Sequence, residues 1–272
     1  MNRIVFLTLV IVIMFLGSCA DGSNELKSGS SQQEDSIKID NTTISKPNPN
    51  ESENEEYSVT GQNALQIDDE LSYNINYPQI SGLVDIDKQK KINKIIEVEA
   101  LKVLNYYKNP YGSVDVNIDY KVTLASNVLS IQYSGLGMVN NAAHPNKLFF
   151  TTNIDIKQGA KIRLRDIIDT DVVARKFING KFIALWPEQG KAIGVDEIKL
   201  EKLQEDFMES DSLDNIGTEN QSDVYSYFTK KSLGISIPVP YAFGGHSEFE
   251  IAYNEIKNNI NENICYELIS VE

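Results

Sequence analysis

Residues 117–133 run Asn117-Ile118-Asp119-Tyr120-Lys121-Val122-Thr123-Leu124-Ala125-Ser126-Asn127-Val128-Leu129-Ser130-Ile131-Gln132-Tyr133. Ile118, Tyr120, Val122 and Leu124 share one face, and Asn117, Asp119, Lys121 and Thr123 share the other. That is the two-residue period of a half-buried strand. Ser126-Asn127 interrupts the run with turn chemistry, and Leu129, Ile131 and Tyr133 resume it. Two alternating runs across a short turn predict an antiparallel hairpin.

Working toward the N-terminus, Leu71 to Tyr77 alternates in the same way until Pro78, Ser81 and Gly82 end it. Asp85 or Asp87 is placed to cap a helix. Ile92, Ile96, Ala100, Val103 and Tyr107 then form one apolar stripe, with Lys90, Lys91, Lys94, Glu97 and Lys102 mostly outside it. The helix is expected to stop before Asn109-Pro110-Tyr111-Gly112. Strand, helix and hairpin predict an antiparallel sheet with one helix on a face.

Working toward the C-terminus, a Gly/Asn/Ala-rich stretch ends in Ala143-His144-Pro145-Asn146. Leu148, Phe150, Thr152, Ile154 and Ile156 form the next strand face, and Gly159 turns the chain. An amphipathic helix is expected from about Asp171, with Val173, Phe177 and Leu185 in its stripe and Trp186-Pro187 at its end. After an acidic, polar segment with a helical patch at Ile198 to Met208, residues 224–237 read as two strands around a polar turn. Pro238-Val239-Pro240-Tyr241-Ala242-Phe243-Gly244-Gly245 is a stiff, then flexible, loop. Phe249 to Tyr253 is a short strand, and a terminal helix is expected from Asn254. The fold class is therefore α+β, two small units of antiparallel sheet with packed helices, spanning 66–135 and 136–272.

The N-terminus has a different character. Arg3 precedes a run, Ile4 to Leu16, that is apolar apart from Thr8. It is too short for a permanent span and reads as a secretory signal, residues 1–19. Leu16-Gly17-Ser18-Cys19 has the form of a bacterial lipobox, which predicts cleavage before Cys19 and diacylglycerol on its thiol. Multiple acyl chains would hold the chain stably on the outer face of the cell membrane. Residues 20–65 are rich in Ser, Asn, Glu and Asp with no apolar period, the composition of a disordered acidic tether. A coil of that length reaches roughly 35–40 Å. Cys265, in a strand-like terminal segment, reads as a half-buried structural thiol.

Composition excludes several classes. The formal net charge is −14, with two Cys, two His and one Trp in 272 residues. An acidic chain lacks the basic face that nucleic acid demands. Two cysteines cannot build a multi-disulfide scaffold or a four-thiolate zinc site. There is no serine-hydrolase elbow, Walker motif or dinucleotide glycine pattern. His144 and His246 sit in loops with too few other ligands for a metal centre. No cofactor, metal or catalytic group is expected, although a spatial carboxylate pair would escape a sequence reading.

Two resemblances sharpen these expectations. Tyr77-Pro78-Gln79-Ile80-Ser81-Gly82, followed by Ile92-Asn93 and the long helix, resembles the small N-terminal domain of PdaC-type peptidoglycan deacetylases and RsiV-type extracellular regions. Ala143-His144-Pro145-Asn146, the aromatic strand with Asn153-Ile154-Asp155, Leu164-Arg165-Asp166-Ile167, Tyr227-Phe228-Thr229-Lys230-Lys231, the Pro-Tyr loop with Gly244-Gly245 and Ile251-Ala252-Tyr253-Asn254-Glu255-Ile256 resemble the C-terminal domain of RsiV-type proteins. That domain has no general assigned function. One departure is Asn140-Asn141-Ala142-Ala143, where the family often carries Gly-Gly-Ala. RsiV-type resemblance implies an extracellular binding module whose partner is lysozyme-like. The acidic charge suits such a basic partner. The expectation is a lipid-anchored, non-catalytic module for a wall-active protein or cell-wall glycan. The alternative is a wall polysaccharide hydrolase or deacetylase, or its accessory factor. Candidate partner-binding residues are His144, Pro145, Pro238, Pro240, Tyr241 and His246, because stiff prolines and an exposed Tyr suit an interface anchor.

Overall fold

The central helix starts where its capping chemistry places it. Asp85 accepts the backbone N–H of Lys88 at 2.9 Å and opens α1 (Ile86–Leu101). The helix buries Ile92, Ile96 and Ala100. It tightens into a 3-10 helix, Lys102–Tyr107, that buries Val103 and Tyr107, so the whole expected stripe faces the core. These elements belong to a computed structural model that describes residues 56–108, 112–188 and 198–261. The signal segment with Cys19, most of the tether stretch and Cys265 lie outside the described residues.

Six strands form the first sheet, in chain order: β1 (Ser58–Gln66), β2 (Leu71–Ser81), β3 (Val114–Ala125), β4 (Val128–Val139), β5 (Asn146–Asp155) and β6 (Ala160–Ile162). The hairpin expected at 117–133 is β3–β4, with Ile118 opposite Gly135 and Tyr120 opposite Tyr133. The sheet is mixed rather than wholly antiparallel, because β2 and β3 run parallel. The cause is α1, which lies between them and returns the chain to the same end of the sheet, as a parallel crossover requires. β1 begins inside the stretch expected to be disordered tether. It is a sheet-edge strand that exposes most of its side chains and is held by its antiparallel pairing to β2. Such a strand carries no apolar signature. The 135/136 position falls inside β4, so the sheet continues through it.

The second sheet has the order β7-β10-β9-β8, from β7 (Ile183–Ala184), β8 (Tyr225–Phe228), β9 (Ser232–Pro238) and β10 (His246–Ala252). α2 (Leu164–Ile167), α3 (Thr170–Ile178) and α4 (Leu200–Met208) cover its apolar face. Phe177 meets Phe249 edge-on at 4.9 Å and Phe207 at 6.0 Å. Asp169 caps α3, which is shorter than expected. It ends at Ile178, ahead of Gly180 at φ 68°. Leu185 and Trp186 lie beyond it, 43% and 61% exposed. The expected terminal helix is instead two 3-10 turns, Tyr253–Glu255 and Lys257–Asn259. They still bury Tyr253 and Ile256, and the asparagines around them favour turn over helix. The α+β class holds, with both sheets in one compact unit.

Side chains join the sheets along the free edge of β8. Ser226 N–H donates to Asp211 Oδ1 at 2.5 Å, and the Ser226 hydroxyl donates to Oδ2 at 2.7 Å. The Ser226 carbonyl accepts from Thr151 Oγ1 at 2.7 Å and Asn153 Nδ2 at 3.0 Å. Phe228 N–H donates to Ser130 Oγ, which donates onward to Asn153 Oδ1. Asp211 also receives the Leu164 N–H at 2.8 Å, fixing the start of α2. Every one of these groups is buried, where an unpaired polar atom is costly.

Candidate functional site

The docked sheets leave a cleft of about 320 Å³ at one end. β5 supplies Asn146 to Phe150, β9 supplies Ser236 and Pro238, and β10 opens with His246. The β9–β10 loop folds over it. Phe243 N–H donates to the Pro240 carbonyl at 2.8 Å, and Gly244 N–H to Tyr241 at 3.0 Å. Gly244 and Gly245 take φ values of 115° and 82°, conformations closed to most side chains. This reversal brings Val239 N–H to the Gly245 carbonyl and sets Tyr241 over the 144–147 segment.

Two aromatic stacks wall the cleft. His144 stacks on Tyr241 with centroids 4.1 Å apart, and Lys147 Nζ lies 4.7 Å from the centre of the same ring. His246 stacks on Phe149 at 4.3 Å. Tyr106, 41% exposed, adds another aromatic side. Asp223 is the one carboxylate among the lining residues. In the floor, the Ser236 hydroxyl and His246 Nδ1 are buried without a hydrogen-bond partner.

Burial lowers the His246 pKa to about 4, and the Lys147 charge pushes in the same direction. The imidazole is therefore neutral at neutral pH, with one donor and one acceptor nitrogen. Its Nε2 is 3.9 Å from Glu248 Oε1, too long for a hydrogen bond. Glu248 accepts instead from Gln132 Nε2 at 2.7 Å, and Glu250 accepts from Ser232 Oγ at 2.6 Å and Tyr227 at 3.2 Å. The depressed value has a stability consequence. The unfolded chain takes up a proton near pH 6.5 and the native chain only near pH 4, so stability is complete above that window and falls as pH drops through it. The loss attributable to His246 is up to about 3 kcal/mol. A proton NMR titration is expected to show the His246 ring titrating near pH 4; titration of that ring near 6.5 would contradict the buried stack.

His144, Pro238, Tyr241 and His246, singled out in the sequence, all line this cleft. The two histidines keep separate aromatic partners. Pro145 and Pro240 do not line it. The Pro145 carbonyl lies 3.2 Å from His144 Nδ1, and Pro240 leads into the 3-10 turn Tyr241–Phe243. Sequence reading missed Phe149, Lys147, Tyr106 and Ser236. Phe149 lies on the strand face opposite Phe150, Thr152 and Ile154, beside the polar Thr151 and Asn153. Among the described residues, no group of three or more His, Cys, Asp or Glu is placed to hold a metal ion, and no helix is long and apolar enough to cross a membrane.

The chain is similar to a DUF3298 family protein from Bacteroides fragilis, with 16% identity and a TM-score of 0.44, covering 79% of this chain and 98% of that one. It is also similar to a DUF3298 family protein from Pseudomonas aeruginosa, with 13% identity and a TM-score of 0.46, covering 77% and 96%. No protein-family model and no curated protein matches the chain.

Proposed function

We propose that this chain is a lipid-anchored, extracytoplasmic binding module without catalytic activity, serving a cell-wall glycan or a wall-active protein, with the Tyr241–His246 cleft as its seat. The carrying observation is the cleft's composition. Aromatic walls with a few polar floor groups are the usual make-up of a recognition pocket. A glycoside hydrolase of the usual kind sets two carboxylates about the bond it breaks, whereas Asp223 is alone in the lining. The cleft's concavity favours a glycan over a protein surface. The acidic charge and the RsiV-type resemblance favour a basic, lysozyme-like partner, and that is the second reading. The lipobox at Leu16 to Cys19 supports the anchor.

The test is capture. The full chain, purified in detergent, is expected to co-sediment with purified wall glycan or to be retained by immobilised lysozyme. Retention by neither, or turnover of the glycan, would sink the proposal. Cys19→Ala is expected to release the chain from the membrane fraction of producing cells; continued membrane retention would remove the anchor.

A further inference from the structure

We infer that the cleft binds a saccharide ring that carries a carboxylate, a ligand class that rests on the binding-module reading above. Three independent features meet at this place. The first is the floor. Ser236 is fully buried, yet its hydroxyl has no partner, and the same holds for His246 Nδ1. Orphaned polar atoms in a folded interior cost stability unless something completes them. Both residues belong to the cleft lining, so a ligand seated against them is the available partner for these atoms. A hydroxyl can donate and accept, and so can a neutral imidazole with the proton on either nitrogen. A ligand hydroxyl fits both atoms, whichever way each is oriented.

The second feature is the wall. Tyr106 and Tyr241, 41% and 40% exposed, present apolar ring surface beside that polar floor, and Phe149 joins the lining stacked on His246. A ligand that suits both must have an apolar face and hydroxyls on its edge, which is the layout of a pyranose. A ligand without hydroxyls would leave the floor unpaired. A simple apolar chain would also waste the convergent polar groups that give such pockets their selectivity.

The third feature is charge. In a chain of net charge −14, the cleft places Lys147 over the Tyr241 ring. An ammonium held at an aromatic rim is positioned to meet an anionic substituent. Asp223 shares the lining and disfavours a multiply charged phosphate ligand. One carboxylate is the anion this balance accepts.

The experiment uses the full chain in detergent and isothermal titration with three probes. These are the N-acetylglucosamine–N-acetylmuramic acid disaccharide, which has a carboxylate, chitobiose, which lacks one, and adenosine, a nucleoside whose sugar is a furanose rather than a pyranose. The acidic disaccharide is expected to bind about tenfold more tightly than chitobiose, and adenosine not to bind. Lys147→Gln is expected to erase the preference between the two sugars. Ser236→Ala and Tyr241→Ala are each expected to weaken both sugars about tenfold with an unchanged melting temperature. Tyr241 is exposed, so its variant remains informative if Ser236→Ala does not fold. Equal affinity for the two sugars, adenosine binding, or sugar binding untouched by both variants would overturn the inference. Capture by lysozyme with no sugar binding would overturn it while leaving the binding-module reading intact. Failure of both lysozyme and glycan capture would overturn both.

Discussion

Asp211→Ala is expected to lower stability by about 3–5 kcal/mol, because it strips a buried acceptor from two backbone donors at once. The Ser226 and Leu164 N–H groups point at this carboxylate from different elements, and no solvent reaches them once it is gone. Asp211 also sits at φ 61°, a left-handed conformation that Asp tolerates and Ala does not. For a domain of this size the loss corresponds to a fall of about 10 °C or more in melting temperature. The pH dependence follows from the site. Burial raises the Asp211 carboxyl above its ordinary value, against the pull of its hydrogen bonds from Ser226 and Leu164. The native state therefore holds the proton more tightly than the unfolded chain, and the contribution declines as pH rises through the raised value. The gap between wild type and variant is expected to narrow with rising pH. Thermal melts of both proteins from pH 4 to pH 8 would check this. A variant melting within a degree or two of wild type would show that the β8 edge does not depend on the carboxylate.

Gly135→Ala is expected to be comparably damaging for a different reason. A Cβ at this position would lie 2.0 Å from the Asn117 carbonyl oxygen and 2.8 Å from Ile118 Cα. Both are backbone atoms of the paired strand, so no side chain can swing aside. The β3–β4 ladder must part locally, and overpacking of this kind costs about 3 kcal/mol. Gly180→Ala is the control. Its Cβ would meet nothing within 4 Å, so only its φ of 68° is penalised, at about 1–2 kcal/mol. Denaturant melts of the two variants should separate clearly, with the larger loss at Gly135. Equal losses would mean that β3 and β4 yield more easily than their register implies.

Much of the first sheet was legible because its apolar faces repeat at fixed periods. Ile92, Ile96 and Ala100 are core, and so are Ile118, Leu129, Ile131 and Tyr133. What period alone concealed is that β4 and β5 are covered on both sides. Val128 to Tyr133 is buried without alternation, and Ser130, Thr151 and Asn153, polar residues on the apparent solvent face, are the groups that receive the second sheet. A strand that hydrogen-bonds through its side chains looks, in sequence, like one facing water. The same effect concealed Phe149, and with it half of the cleft. Tyr241 and His246 stood out because loop residues flanked by Pro and Gly are not explained by core packing. The parallel pairing of β2 with β3 was out of reach, since alternation reports which face is buried and not which way a neighbouring strand runs.

The closure of β8 by side chains bears on how copies of this chain behave toward one another in a crowded compartment. A sheet grows from one molecule to the next through unpaired backbone groups on its outer strands. At β8 those groups already have partners: Asp211 and Ser130 take the N–H groups, while Thr151 and Asn153 occupy the Ser226 carbonyl. At the opposite end β7 is only two residues long. The second sheet therefore has little to offer an intruding strand at either border. The nine-residue β1 remains the longest open border of the described chain, and its polar, exposed residues make it a poor template for self-association.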